Sequence, residues 1–271
     1  MWLVWGSTYY AIRVALEGFP PFGMAAVRLI AAGAVLLAWG RYHGEAWPKR
    51  ASLGPLALAG MLMFLGGNGS VVWAEQSVSS GLVAVLVGVV PLYTAAAGLY
   101  FGERVSVPQW CGIALGVGGI VVLQGDRQLS GDLLVTGVLT IGSITWALGS
   151  LASKLQKETT PTMSSGMQMV AGGVFLGVAA IATGEPIPTE YPLRSVLAVL
   201  YLFSFGSVLA FSAYTWLLRN TSLALATSHA YVNPVVAVLI GIGFGGETMA
   251  DEGWIGLGMI VLAVGLVSRR G

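Results

Sequence analysis

The sequence predicts an all-α polytopic membrane protein, with ten transmembrane helices arranged as two inverted five-helix repeats. Three observations carry this prediction: few charges, ten apolar stretches of spanning length, and an internal duplication of spaced residues. Only 9% of the 271 residues are charged, against about 25% in soluble domains, while 56% are hydrophobic. A water-soluble surface cannot be built from so few charges.

The spans follow one another with short polar or turn-forming segments between them, so no linker is long enough for a soluble domain. Because the first span begins at Met1 without a charged leader and meets Arg13 early, we expect native N-terminal residues to be missing and no cleavable signal peptide. Each span has about 20 apolar residues, the length that crosses a bilayer. Their centres lie near residues 8, 31, 63, 90, 115, 142, 172, 206, 234 and 260.

Basic residues in alternate loops predict the orientation, since cytoplasmic loops carry the excess of Lys and Arg. With a cytoplasmic N-terminus, the outer side holds Arg127 and Arg194, with Arg13 and Arg28 near the outer ends of two spans. Both termini are therefore expected inside. The inner set is Arg41, Lys49, Arg50, Arg104, Lys154, Lys157, Arg219, Arg269 and Arg270.

Residues of the first half recur in the second half at an offset of 141 to 144 positions. The predicted repeats are residues 1–125 and 126–271, and five spans in each require the second to be inserted upside down. Inverted repeats are typical of secondary transporters, which bind substrate near the midplane between the halves. The matches are Trp5, Arg13 and Pro20 with Trp146, Lys154 and Pro161; Trp73 and Pro91 with Trp216 and Pro234; and Glu103 and Trp110 with Glu247 and Trp254.

Short motifs resemble one family. The motif Trp5-Gly6-Ser7-Thr8 lies in the first span, and Pro21 precedes Arg28 in the second. Both halves also contain a proline followed by a Gly-Glu ending. These are Pro91 with Gly102-Glu103 and Pro234 with Gly246-Glu247. In this combination the whole chain resembles the drug/metabolite transporter superfamily, in its ten-helix EamA-type branch. Within that branch it is similar to YddG-type exporters of amino acids, aromatic ones included.

Several side chains are predicted to face a cavity rather than lipid. Trp5 and Trp146 each lie eight residues before a charged helix end, which is about 12 Å along the helix axis. Both indoles are therefore expected near the midplane of the bilayer, where they either line a cavity or pack between helices. Intramembrane polar groups such as His229 and Asn233 are usually functional. The predicted substrate-binding residues are Trp5, Thr8, Tyr9, Asn68, Trp146, Ser207, Phe211, Tyr214, His229 and Asn233.

Helical faces support this set. Span nine places Ser222, Ala226, His229, Asn233 and Ala237 opposite Tyr231, Val235, Val238 and Ile242, and span eight places Ser204, Ser207, Phe211, Tyr214 and Thr215 together. For the small residues, tight packing is the favoured interpretation.

Two features leave alternatives open. Residues 66–70 (Gly-Gly-Asn-Gly-Ser), Pro91 and Pro234 weaken three spans, and each break is interpreted equally as a cavity wall, a hinge or a kink. For Arg28 we expect a structural anchor paired with Glu17 or Glu75, with carboxylate binding as the alternative.

The expected function is secondary export of small organic molecules across the inner membrane, most favourably amino acids including aromatic ones. Multidrug or organic-cation efflux is the alternative, with a passive pore third. An enzyme is not expected, because Ser204 or Ser207 with His229 lacks a third, orienting group. Two histidines and one cysteine, Cys111, give no metal-ligand cluster, so no metal is expected. No cofactor or nucleic acid partner is expected either. Protons are the candidate coupling ion, carried by His229, and the equal alternative is a neutral His229 that hydrogen-bonds a neighbouring helix.

Overall fold

The structure is a computed structural model that describes residues 1–100, 105–124, 133–245 and 251–267. Within these residues it is all-helical, with ten helical segments. The predicted Gly-Glu endings and the charges at positions 104, 127, 269 and 270 lie outside the described residues. The segments are α1 (Trp2–Leu16), α2 (Pro21–Tyr42), α3 (Arg50–Ala74), α4 (Ser80–Tyr100), α5 (Val107–Gln124), α6 (Leu133–Leu155), α7 (Pro161–Ala182), α8 (Leu193–Asn220), α9 (Leu223–Thr227 and His229–Gly245) and α10 (Asp251–Val267).

The prediction of an all-α polytopic membrane protein is confirmed. In the described part, seven helices are long and apolar enough to cross a bilayer, namely α2, α3, α4, α6, α7, α8 and residues 225–244 of α9. A shorter apolar stretch, Gly253–Ala263, lies within α10. The inverted arrangement of residues 1–125 and 126–271 stays a prediction.

Two helices contain a π-helical segment at matching places. Residues Met61–Asn68 of α3 and Leu202–Leu209 of α8 are π-helical, and they lie 141 positions apart, the same offset as Trp5 and Trp146. Wider π turns occur frequently at functional sites, because they displace side chains and leave carbonyls without their usual helical donors. The glycine-rich stretch singled out in span three falls at the end of the first π segment.

The π segment of α8 changes which residues share a face. Ser204 was predicted to lie on the inner face with Ser207, but it is exposed, whereas Ser207 is buried. The prediction was wrong because it assumed 3.6 residues per turn, and a π turn advances by more residues. In α9 the predicted outer residue Tyr231 is also buried, so both faces of that helix meet protein.

Glycines allow close helix packing between α2 and α7. A Cβ added at Gly33 would lie 2.7 Å from the Gly166 carbonyl oxygen, and one at Gly166 would lie 3.0 Å from the Gly33 carbonyl oxygen. The α5–α10 pair uses the same device, since a Cβ at Gly119 would lie 2.8 Å from the Gly256 carbonyl oxygen. Small residues replace the hydrophobic effect as the means of joining helices in lipid, which accounts for much of the high glycine content.

Candidate functional site

A buried cavity of about 90 Å³, here named the central cavity, lies among α1, α3, α4, α6 and α9. A smaller space of about 50 Å³, the side chamber, adjoins it and is bounded by α2, α3, α7 and α8 as well. The two share the side chains of Trp5, Thr8, Ile12, Asn68 and Trp146 as walls.

Most of the predicted binding residues are brought together around these two spaces. Ser207 and Phe211 line the side chamber, and Tyr214 lines neither but packs directly behind the shared wall. The substrate-binding role of all ten stays a prediction. Those lining the central cavity are Trp5, Thr8, Tyr9, Asn68, Trp146, His229 and Asn233.

The Trp5 indole is the centre of an aromatic cluster. Its ring centroid lies 5.7 Å from that of Trp146, 5.1 Å from that of Tyr214 and 4.5 Å from that of His229. Trp5 Nε1 also donates to the Gly206 carbonyl oxygen at 2.9 Å, inside the π segment of α8. The π segment of α8 therefore supplies the carbonyl acceptor that holds the Trp5 indole of α1 in place.

Tyr214 holds α6 and α8 together. Its hydroxyl lies 2.6 Å from Ser150 Oγ, which in turn donates to the Trp146 carbonyl oxygen at 2.7 Å. Because Ser150 has a single proton, the Tyr214 hydroxyl is the donor of the first bond. Tyr214 thus orients the ring cluster from behind.

Helix breaks meet beside the central cavity. Helix α4 is interrupted at residues 88–89 and α9 at Ser228, and the Thr94 and Thr227 hydroxyls hydrogen-bond between them at 3.0 Å. His229 begins the second part of α9, and its Nδ1 lies 3.1 Å from the Ala226 carbonyl oxygen. Nδ1 must carry the proton to make that bond, so Nε2 is left as the acceptor of the neutral ring.

Asn233 presents an acceptor without a donor. Its Oδ1 is buried and has no hydrogen-bond partner among the described residues, although the side chain lines the central cavity. Leaving a buried amide oxygen unpaired costs about 1–3 kcal/mol, which a ligand with an N–H group would recover.

The expected pairing of Arg28 with Glu17 or Glu75 was wrong. Arg28 donates instead to Asn68 Oδ1 at 2.9 Å, while Glu17 pairs with Arg194 at 3.6 Å. Both oxygens of Glu75 lack a hydrogen-bond partner within the described part of the chain. Nothing in the sequence indicated the Arg28–Asn68 contact. The two residues lie on different helices, and an arginine is expected to pair with an acidic side chain rather than with an amide.

A surface opening of about 990 Å³, the vestibule, lies where the α1–α2 turn, the end of α3 and the α7–α8 loop meet. Arg13 and Glu75 line it, while Ile12 and Val71, one and four positions earlier on the same two helices, line the central cavity. Glu75 follows the span and is only 5% exposed. Burial raises the pKa of the Glu75 carboxyl well above its usual value, and the nearby positive charge of Arg13 opposes that change.

Fold and site together define a polytopic helical membrane protein with a buried, aromatic-walled cavity between its halves. The model of the EamA-like transporter family matches residues 1–124 and 130–269, and the chain belongs to this family of membrane transporters. It is 45% identical over 269 residues to the uncharacterized inner membrane transporter YedA of Escherichia coli (strain K12), which covers 99% of this chain and 88% of YedA.

Two more distant similarities cover nearly the whole chain. A probable terminal-alkyne amino-acid exporter of Streptantibioticus cattleyicolor is 24% identical over 270 residues, which is 99% of this chain and 91% of that protein. A solved crystal structure at 20% identity superposes with a TM-score of 0.77 over 98% of this chain and 94% of its own. At that identity the superposition supports the fold alone.

Proposed function

We propose that this chain is a secondary transporter of the inner membrane that exports amino acids, aromatic ones included, by alternating access between residues 1–125 and 126–271. The observation that carries the proposal is the central cavity, where aromatic rings lie beside unpaired polar groups. Rings of Trp5 and Trp146 suit an apolar or aromatic side chain, and the unpaired Asn233 Oδ1 suits an ammonium group.

The similar proteins support the same proposed function. YedA is described as an inner membrane transporter, and the more distant relative as an amino-acid exporter. The basic-residue bias supports an orientation with both termini in the cytoplasm and the vestibule opening on the outer side.

Organic-cation efflux is the second candidate, because aromatic faces attract cations. No acidic side chain is among the residues that line the central cavity in the described part of the chain, whereas the guanidinium of Arg28 lines the adjoining chamber. This charge distribution favours a substrate that carries a negative group over a plain cation. Catalysis is the weakest alternative, since Ser204 is exposed.

Energy coupling is proposed to use protons, with His229 as the carrier, or to be absent in a uniporter. The decisive experiment is purified protein in liposomes, tested against an amino-acid panel with and without a pH gradient. Saturable flux and counterflow of an amino acid would support a carrier, and linear flux without counterflow would indicate a passive pore. Transport of organic cations but of no amino acid would reverse the order of the two candidates.

A further inference from the structure

Arg28 is a buried cation that no carboxylate of the described residues neutralises. It lies within α2, is 5% exposed, and donates from one terminal nitrogen to Asn68 Oδ1 at 2.9 Å, while its Nε is buried without a partner. Removing one charge from water without a counter-charge costs several kcal/mol. Intramembrane charges of this kind usually face cavities or pathways, and the Arg28 guanidinium lines the side chamber.

The space beside Arg28 fits a carboxylate. The side chamber has a volume of about 50 Å³, and one water needs roughly 10–15 Å³ on such a scale, so it holds a group of about three to five heavy atoms. Phe64 and Phe211 close the chamber on its apolar side. It shares Trp5 and Trp146 with the central cavity, so a bound carboxylate lies next to the aromatic cluster.

The hydrogen-bonding groups of Arg28 and Asn68 also favour a ligand that accepts hydrogen bonds. Arginine has donors only, and Asn68 Oδ1 accepts from Arg28, which turns the amide so that Nδ2 is available to donate. A wall that carries the donors of Arg28 and Asn68 binds a carboxylate through charge-assisted bonds. The unpaired acceptor in the central cavity, Asn233 Oδ1, stands apart from this wall.

We propose that Arg28, held by Asn68, binds the carboxylate of the transported substrate in the side chamber, while the side chain of the substrate occupies the aromatic central cavity. This inference rests on the proposed export of amino acids and adds the group by which they are recognised. The substrate class is then defined by a carboxylate, and the corresponding amides and amines bind more weakly.

Counterflow in proteoliposomes tests the inference with two compounds that differ only in that group. Liposomes loaded with phenylalanine take up labelled phenylalanine, and unlabelled phenylalanine or phenylalaninamide competes. For the wild type we expect the amide to compete roughly tenfold or more weakly, the scale of one hydrogen bond to a charged group. In Arg28→Gln the two should compete equally, and Arg28→Lys should keep the preference because it keeps the charge. Arg41→Gln, on the exposed end of the same helix, is the matched control.

The outcomes separate this inference from the proposed function. Equal competition in the wild type, or a preference kept by Arg28→Gln, overturns carboxylate binding while export of amino acids stands. Absence of phenylalanine counterflow in the wild type overturns both. Gel filtration checks each variant, and if Arg28→Gln does not fold, the wild-type comparison still decides, because equal competition alone overturns the inference.

Discussion

The indole rings of Trp5 and Trp146 meet edge to face, with centroids 5.7 Å apart and planes at 83°. The two residues occupy equivalent positions of the predicted repeats, 141 residues apart, so each half contributes one tryptophan to a shared wall. An edge-to-face pair is a favoured aromatic geometry, and both indoles line the central cavity. We therefore expect a substrate bound between the two predicted repeats to contact both of them.

Trp146→Ala should weaken transport of aromatic substrates. Each aromatic contact is worth about 0.5–1.5 kcal/mol, so loss of the ring should raise the KM for phenylalanine roughly tenfold or less, with alanine transport changed less. Trp216→Ala, an exposed tryptophan on α8, is the matched control and should leave both KM values unchanged. Monodisperse gel filtration establishes folding, and an unchanged KM for phenylalanine would remove Trp146 from the site.

His229→Gln should abolish accumulation of substrate driven by a pH gradient if export is coupled to protons. Glutamine keeps a hydrogen-bonding side chain of similar reach for the Ala226 carbonyl but does not titrate. Counterflow without a gradient should persist, because that exchange needs no net proton movement. Liposome flux under an imposed gradient is the measurement, and a variant that still concentrates substrate rules out His229 as the coupling group.

Glu75→Gln should stabilise the protein increasingly as pH rises. The raised pKa of the buried carboxyl means that the folded state binds its proton more tightly than the unfolded state, whose pKa is near 4.5. Wild-type stability relative to the variant is therefore highest below that value and falls as pH rises toward the folded pKa. The free energy of unfolding of the wild type falls, relative to the variant, by about 1.4 kcal/mol for each pH unit between the unfolded pKa and the folded pKa.

Thermal unfolding in detergent between pH 5 and 8 measures this difference. Glu190→Gln, which replaces an exposed carboxyl group of the same vestibule, is the matched control. A constant gap between wild type and Glu75→Gln across this range would contradict the prediction.

Gly60→Ala should destabilise the fold, because its Cβ would lie 2.2 Å from the Gln168 carbonyl oxygen on α7. Overpacking of this kind costs about 1–3 kcal/mol. Gly54→Ala is the control on the same helix, where an added Cβ meets nothing within 4 Å, and its effect should be neutral or favourable by up to about 1 kcal/mol. The unfolding temperature in detergent distinguishes them, and equal values would show that the α3–α7 contact is looser than described.

Single cysteines at Ala46 and Thr189 should be labelled from opposite sides of the membrane. Both positions are exposed and lie in equivalent loops, just after Gly44 and Gly184, whose positive φ angles of 80° and 68° end α2 and α7 alike. In a Cys111→Ser background, a membrane-impermeant maleimide added to intact cells should label Thr189→Cys alone. Labelling of both from one side would end the inverted-repeat prediction.

Part of the site followed from sequence because its signal is local. An indole or amide deep inside an apolar stretch is conspicuous whatever surrounds it, so Trp5, Asn68, Trp146 and Asn233 were predicted and all four line the central cavity. The position of Tyr214 behind the cavity was not predictable, because the π segment of α8 shifts the helical face and the sequence does not mark where such a turn begins.

By itself the sequence determined the class of fold, the places of the apolar helices and the spacing at which residues recur, because hydropathy and spacing are properties of one chain segment at a time. Only the tertiary structure decided that Arg28 meets Asn68 rather than a carboxylate, and that Glu75 is buried at a helix end. The physical reason is that the surroundings of a side chain depend on how neighbouring helices are rotated and how closely they approach. Those quantities are set by glycine contacts and π turns between segments far apart in the chain.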